Sequence, residues 1–275
     1  MLLAQISDLH IKRPGALAYR RVDTAAYFSR CIAALNALEP RPDAVIVTGD
    51  LVDQGDVEQY EHLKTLLAPL QIACYLLVGN HDDRAALRTV FSERRELFEG
   101  GEFVQYVVDV GALRVLALDS IVPGASGGTL CAARLAWLER QLDAARDKAV
   151  IVALHHPPFV SGIGHMDRVR LDPVAARAFE ALIARHPNVE RVICGHVHRP
   201  MFARFAGTIA SAVPAPAHQV ALDLRDDGPS AFRMEAPAFA LHRYDAATGL
   251  VTHHAYVDAG DGPYPFHEPA GALID

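Results

Sequence analysis

Five times in the first two hundred residues, an apolar run ends on residues that bind hard or borderline metal ions. The segments are Ile6-Ser7-Asp8-Leu9-His10, Gly49-Asp50-Leu51-Val52-Asp53, Gly79-Asn80-His81-Asp82, His155-His156-Pro157-Pro158 and Gly195-His196-Val197-His198. A fold that uses them must gather five strand ends at one place. Open α/β sheets do this, because the carboxyl ends of their strands form the binding crevice.

Periodicity supports that reading. Residues 2–7, 43–48, 72–78, 103–110, 113–118, 149–154 and 190–194 read as strands. Between them, 23–38 carries Phe28, Ile32 and Leu35 at helical spacing. Residues 56–69 carry Tyr60, Leu63 and Leu67, and 131–146 carry Leu135, Leu138 and Leu142. Residues 83–92 and 172–186 also read as helices. From residue 200 the pattern turns to short strands: 200–205, 207–213, 217–224, 238–244 and 250–257, then a Gly/Pro-rich tail. Alternation followed by a β-rich region predicts an α/β sandwich of two sheets covered by helices. Residues 160–171 are expected to lean over the site as a loop. Residues 199–235 are expected to form a β-hairpin elaboration. The organisation is read as a core over 1–198, with 199–275 continuing the second sheet and adding a lid, an oligomerisation surface and the tail.

Bulk properties narrow the class. At 275 residues the chain can bury a large core, and 51% hydrophobic with 21% charged residues excludes a disordered chain. A net charge of −7 without a Lys/Arg run argues against a nucleic-acid partner. The four cysteines are far apart and form no C-x-x-C pair, so buried reduced thiols are expected. No stretch reaches the roughly 18–20 apolar residues of a membrane span, and the N-terminal apolar run ends at Asp8 and His10, too short for a signal peptide. A cytoplasmic protein is expected.

The ligand chemistry is that of a two-metal centre. Asp8 and His10 lie two apart, so in extended backbone both point the same way. Asp50 has two oxygens and can bridge two cations about 3.5–4 Å apart. Asn80 adds a neutral oxygen, and His156, His196 and His198 complete a mixed nitrogen/oxygen set. Such a set suits two divalent ions of Mn, Fe, Co or Zn. Each motif alone is weak; together, in order and each after a strand, they define a site. Asp53 or Asp82 is expected to orient a ligand histidine. His155 is read as a packing residue, and His81 as facing the substrate.

Taken together, the five segments resemble the calcineurin-like metallophosphoesterase superfamily, whose pattern is D-x-H, G-D-x-x-D, G-N-H-D/E, a later histidine and G-H-x-H. The likeness covers about residues 2–200. Within the superfamily, the SDLH start, GNHDD at 79–83, HHPP at 155–158, Met166-Asp167 and Ala217-His218-Gln219 resemble the bacterial class III phosphodiesterases, both glycerophosphodiesterase-like and cyclic-nucleotide-phosphodiesterase-like. The resemblance implies a four-layer α/β/β/α sandwich with a β-hairpin lid. It implies one metal on Asp8, His10, Asp50 and His198, and a second on Asp50, Asn80, His156 and His196. It places His81 and His218 as substrate-facing catalytic histidines. The implied activity is hydrolysis of small phosphodiesters by a metal-activated water, glycerophosphodiesters first and 3′,5′-cyclic nucleotides second. Phosphomonoesterase and scaffold roles are further alternatives. A homo-oligomer is expected, with the apolar strand 207–213 as a partner surface. His165 in the loop and the acidic stretch 223–227 depart from the family pattern and bear on the pocket and on assembly.

Overall fold

The computed structural model describes residues 1–269, 271, 273 and 274. Two sheets lie face to face. The first has the order β13-β12-β1-β2-β3, built from Gly249–Tyr256, Ala238–Asp245, Leu2–Ile6, Ala44–Thr48 and Cys74–Leu77. The second has the order β4-β5-β6-β7-β9-β8, from Tyr106–Val110, Leu113–Ala117, Ala149–Ala153, Val189–Cys194, Thr208–Ala212 and Met201–Phe205. Helices α1 (Thr24–Asn36), α2 (Val57–Leu67) and α3 (Arg84–Val90) cover the first sheet. Helices α4 (Ala132–Asp143) and α6 (Pro173–Ile183) cover the second. The α/β/β/α layering is therefore present.

Strand alternation separates the layers. Along β6, Ile151 and Ala153 join the core between the sheets, whereas Val150, Val152 and Leu154 join the core beneath α4 and α6. Asp23, Asp56, Asp83 and Asp172 each accept a hydrogen bond from the first turn of the helix they precede. These caps fix where each ligand loop ends and its helix begins.

The C-terminal third divides between the sheets. β8 and β9 extend the second sheet beside β7, while β12 pairs antiparallel with β1 and completes the first. Of the expected strand 217–224 only β10 (Gln219–Val220) is in a ladder, paired with β11 (Phe232–Arg233). The chain between them is the Asp/Gly-rich stretch, whose Asp223 turns back to pair with Arg225 and ends the strand. The 160–171 segment contains one helical turn, α5 (Gly164–Asp167). No described helix is long and apolar enough to cross a membrane.

Candidate metal centre

All five motifs converge at the carboxyl ends of β1, β2, β3, β6 and β7, in the seam between the sheets. Their loops are stitched directly to one another. The Asp8 and His10 amides donate to the carbonyls of Gly49 and Asp50, and the Gly195 amide donates to that of His155, each at 3.0 Å. The His81 amide donates to Asp50 Oδ1 (2.9 Å), and the His196 amide to Asp8 Oδ1 (3.0 Å).

The backbone is strained where the ligands sit. Asp8 (φ 58°), His10 (46°), Asp50 (48°), His196 (71°) and His198 (49°) all adopt the left-handed conformation that non-glycine residues avoid. Asp8 and His10 thus converge through a left-handed turn beyond β1, not through strand alternation. Close approach sets the neighbouring glycines: a Cβ on Gly79 would lie 2.3 Å from Asp50 Oδ1, and one on Gly195 would lie 1.9 Å from Ser7 Oγ.

The ring nitrogens separate histidines aimed at the centre from histidines that serve as struts. A carbonyl can only accept, so His155 Nδ1, 2.8 Å from the Thr48 carbonyl, carries its proton. Its Nε2 faces Asn80 Oδ1 and His196 Nδ1 at 3.2 Å, and Asp50 Oδ2 at 3.3 Å; burial works to lower its pKa, but Asp50 and Asp8 raise it to about 9. His198 repeats the arrangement. Its Nδ1 donates to the His218 carbonyl (3.0 Å), and its Nε2 lies 3.2 Å from His10 Nε2 and 3.4 Å from Asp8 Oδ1. His196 Nε2 and His10 Nδ1 are buried without a hydrogen-bond partner. Carboxylate, amide and imidazole groups crowded this closely in a buried site are what a cation satisfies. The donors are imidazole nitrogen, carboxylate and amide oxygen, which fits two borderline divalent ions.

Burial, reinforced by Asp50, pushes Asp8 up to about 6 against the pull of His155 and His10. Burial works to raise Asp50 as well, but His155 beside it holds its carboxyl well below the usual range. Burial keeps His198 neutral at about 3, with His10 adding to the effect.

His156 is placed differently from the sequence expectation. Its Nδ1 meets Ser120 Oγ at 2.8 Å and its Nε2 donates to the Ser126 carbonyl at 3.3 Å. Burial and the neighbouring His155 push its pKa down to about 3. With both nitrogens engaged, it is a strut between the end of β5 and the loop carrying Ser126. His155, which had been expected to pack, turns its Nε2 toward Asp50 and Asn80, while His155, His156 and His196 each offer a ring nitrogen within 4.8 Å of the others. Strand parity carries the signal: His155 continues the Ile151 and Ala153 face toward the inter-sheet seam, and His156 continues the Val152 and Leu154 face.

Of the two acidic residues expected to orient a histidine, Asp53 is the one beside a ring nitrogen, without a hydrogen bond to it. Its Oδ1 lies 3.7 Å from His10 Nδ1, and Lys12 Nζ sits 2.5 Å from its other oxygen. Asp82 instead accepts from the Leu51 and Gly79 amides and the Tyr60 hydroxyl, locking two motif loops together. Burial, with Asp50 nearby, pushes Asp82 up to about 6.

Above the donors lies a cavity of about 510 Å³. His81 and His218 both line it. His81 Nδ1 donates to the Asp53 carbonyl (2.8 Å), which fixes Nε2 as the free nitrogen. His218 packs against His10, Tyr19 and Phe232, with ring centroids 5.6, 5.3 and 5.4 Å away. The roof comes from His165, Met166 and Val169 of the 160–171 segment, and from Val220, Ala231 and Phe232 of the hairpin. Sequence reasoning missed Tyr19 and Phe232; neither stands in a motif or a periodic stripe.

Two sheets that meet at a seam of carboxylate, amide and imidazole donors define a metallophosphoesterase. The calcineurin-like phosphoesterase family model matches residues 1–200, and the chain belongs to that family. It is 40% identical over 275 residues to a probable glycerophosphodiester phosphodiesterase GpdQ of Arcobacter nitrofigilis, covering 100% of both chains. It is 32% identical over 200 residues to the 3′,5′-cyclic adenosine monophosphate phosphodiesterase CpdA of Pseudomonas aeruginosa, covering 72% of this chain and 70% of that one. Among solved structures, a dimetal phosphatase from Danio rerio superposes with a TM-score of 0.62 at 14% identity, covering 94% of this chain and 99% of that one, a likeness of fold.

Proposed function

We propose that this protein hydrolyses small phosphodiesters, glycerophosphodiesters first, at a two-metal centre. One ion would be held by Asp8, His10, Asp50 and His198, and the other by Asp50, Asn80, His155 and His196. The observation that carries the reading is the convergence on His155 Nε2, which has Asn80 Oδ1 and His196 Nδ1 at 3.2 Å and Asp50 Oδ2 at 3.3 Å in one buried cluster. When bound, two divalent ions neutralise charge on the phosphoryl oxygens and activate water at neutral pH.

The chain's own residues do the rest. His81 Nε2, fixed by the bond from Nδ1 to the Asp53 carbonyl, would accept a proton as the neutral ring and, once doubly protonated, would donate it to a phosphoryl oxygen or the leaving alkoxide. His218 is held by Tyr19 and Phe232 on the opposite wall, where burial keeps its ring neutral. The roof loops limit water around the ester arms. No Lys or Arg is among the residues lining this cavity. That favours a diester with one negative charge over a dianionic monoester.

A cyclic-nucleotide substrate is the second reading. It is favoured by the tilted pair of Tyr19 and Phe232, 4.9 Å apart, which offers an aromatic wall for a base. Self-association through exposed Leu222 and Leu224 of the hairpin region is part of the proposal.

The test is hydrolysis of glycerophosphodiesters, 3′,5′-cyclic AMP, and an aryl diester with its monoester. Each is assayed with chelated protein and after Mn²⁺, Co²⁺ or Zn²⁺ is restored. Metal-dependent cleavage led by glycerophosphodiesters is expected. A lead for cyclic AMP would favour the second reading, and exclusive monoester cleavage would sink both.

A further inference from the structure

We propose that the site extends past Phe232 into an outer cleft that binds the anionic tip of an ester arm through Arg21 and Arg233. The inference rests on the phosphodiesterase reading and specifies its substrate class: diesters with one arm ending in a phosphate. Phe232 is shared between the inner cavity and a shallow cleft of about 490 Å³, whose other walls are Arg21, Arg233, Met234 and Glu235.

The charges of this cleft are unequal. Glu235 is taken by Arg199 at 3.1 Å, and Arg199 also donates to the Val220 carbonyl at 2.7 Å. Among the described residues, neither Arg21 nor Arg233 has a carboxylate partner within 4.0 Å, whereas Arg199 beside them is paired. In a chain of net charge −7, two guanidinium groups without carboxylate partners place local positive charge beside the mouth of a phosphate-ester site. The inner cavity supplies no Lys or Arg, so a second anion on the substrate has no cationic partner before this cleft.

Both arginines ride on one packed unit. Arg21 follows the left-handed turn Tyr19–Arg20 (φ 50° and 56°), which is closed by the bridge between Ala18 and Val22. Ala18 and Val22 pack with Ala217 against Tyr27 and Phe232. Arg233 follows Phe232 on β11, opposite Gln219. The guanidinium groups thus start from anchored backbone, which reduces the ordering needed to grip a phosphate in a bidentate fashion.

The span fits a definite arm length. From the His10 ring, two steps of 5.6 and 5.4 Å cross His218 to reach Phe232. An arm of about nine to ten bonds, at roughly 1.2 Å each, covers that path. A phosphorylated polyol has this size and charge.

The experiment compares glycerophosphoinositol 4-phosphate with glycerophosphoglycerol, using Mn²⁺-loaded wild type, Arg21→Gln, Arg233→Gln, the double variant and Arg204→Gln. Arg204 is exposed on β8 and serves as the charge-matched control. In the double variant, the ratio of kcat/KM for the anionic over the neutral arm is expected to fall about fivefold or more, through KM. A smaller fall, or an equal fall in Arg204→Gln, overturns the cleft and leaves the diesterase reading standing. No metal-dependent cleavage of either diester by the wild type overturns both.

Discussion

The floor of the site and its rim are built on opposite terms. The floor is buried and cross-stitched by backbone hydrogen bonds, and its donors sit on left-handed backbone at five positions. The rim consists of the Tyr19 turn, the 160–171 segment and a two-residue ladder with exposed Leu222 and Leu224. The floor fixes a reaction class, because geometry at a metal centre tolerates little displacement. The rim fixes the substrate, because it meets the ester arms and can change without disturbing the floor.

The largest expected effect breaks the floor outright. Asp50 lies within reach of both halves, beside His10 at 3.6 Å and His155 at 3.3 Å. Asp50→Asn keeps the shape but removes the charge, and should lower kcat by about 10³-fold or more. It should also lower metal content, measured by elemental analysis of dialysed protein. Wild-type turnover with both metals retained would show that Asp50 is no bridge.

The second prediction uses adjacent residues. His155→Ala should remove about one metal equivalent per chain and lower kcat by roughly 10²–10³-fold. His156→Ala should keep the metal content, lower the Tm and cost activity through the loosened Ser126 loop, by about 10-fold. Metal analysis and thermal melts of the two variants separate these outcomes, and equal metal loss from both would erase the distinction drawn from their ring nitrogens.

At the border of floor and rim, His81→Gln should lower kcat by about 10–100-fold while leaving metal content intact. Dependence on leaving-group pKa sharpens this. A diester with a good aryl leaving group should lose less than a glycerophosphodiester, and an equal loss for both would exclude proton donation by His81.

This division matches what could be read from the sequence. The motifs pointed to the layer order and to most of the candidate donors that the fold brings together, because close packing around metals demands particular residues at fixed spacing. Strand ends were legible in the apolar runs, and Asp83 and Asp172 were legible as helix starts. The HHPP motif is read with His156 as the donor and His155 as packing, whereas the parity of β6 turns His155 toward the seam. Tyr19, Phe232 and the Arg21–Arg233 pair were silent, because they meet only through the tertiary fold. The strand expected over 217–224 shrank to two residues because the Asp/Gly stretch that follows favours turns.

The smallest prediction concerns a buried histidine away from both regions, and it measures what burial alone does. His242 lies fully buried on β12, with Nε2 3.1 Å from Gln5 Oε1 and Nδ1 2.8 Å from Thr252 Oγ1. Burial, with Arg191 nearby, lowers its pKa from 6.5 to about 3. The unfolded chain therefore takes a proton near pH 6.5 while the folded chain resists until about 3. The stabilisation from the neutral ring is complete above 6.5 and declines as the pH falls toward 3. His242→Gln keeps hydrogen-bonding capacity without a titrating group. In chelated protein, so that the donors of the floor hold no metal in either sample, the variant should lose ~2–4 °C less in Tm than wild type between pH 7 and pH 5. Identical pH slopes would mean that His242 is protonated in the folded state, and that the packed histidines of this molecule differ less from its ligand histidines than their hydrogen bonds indicate.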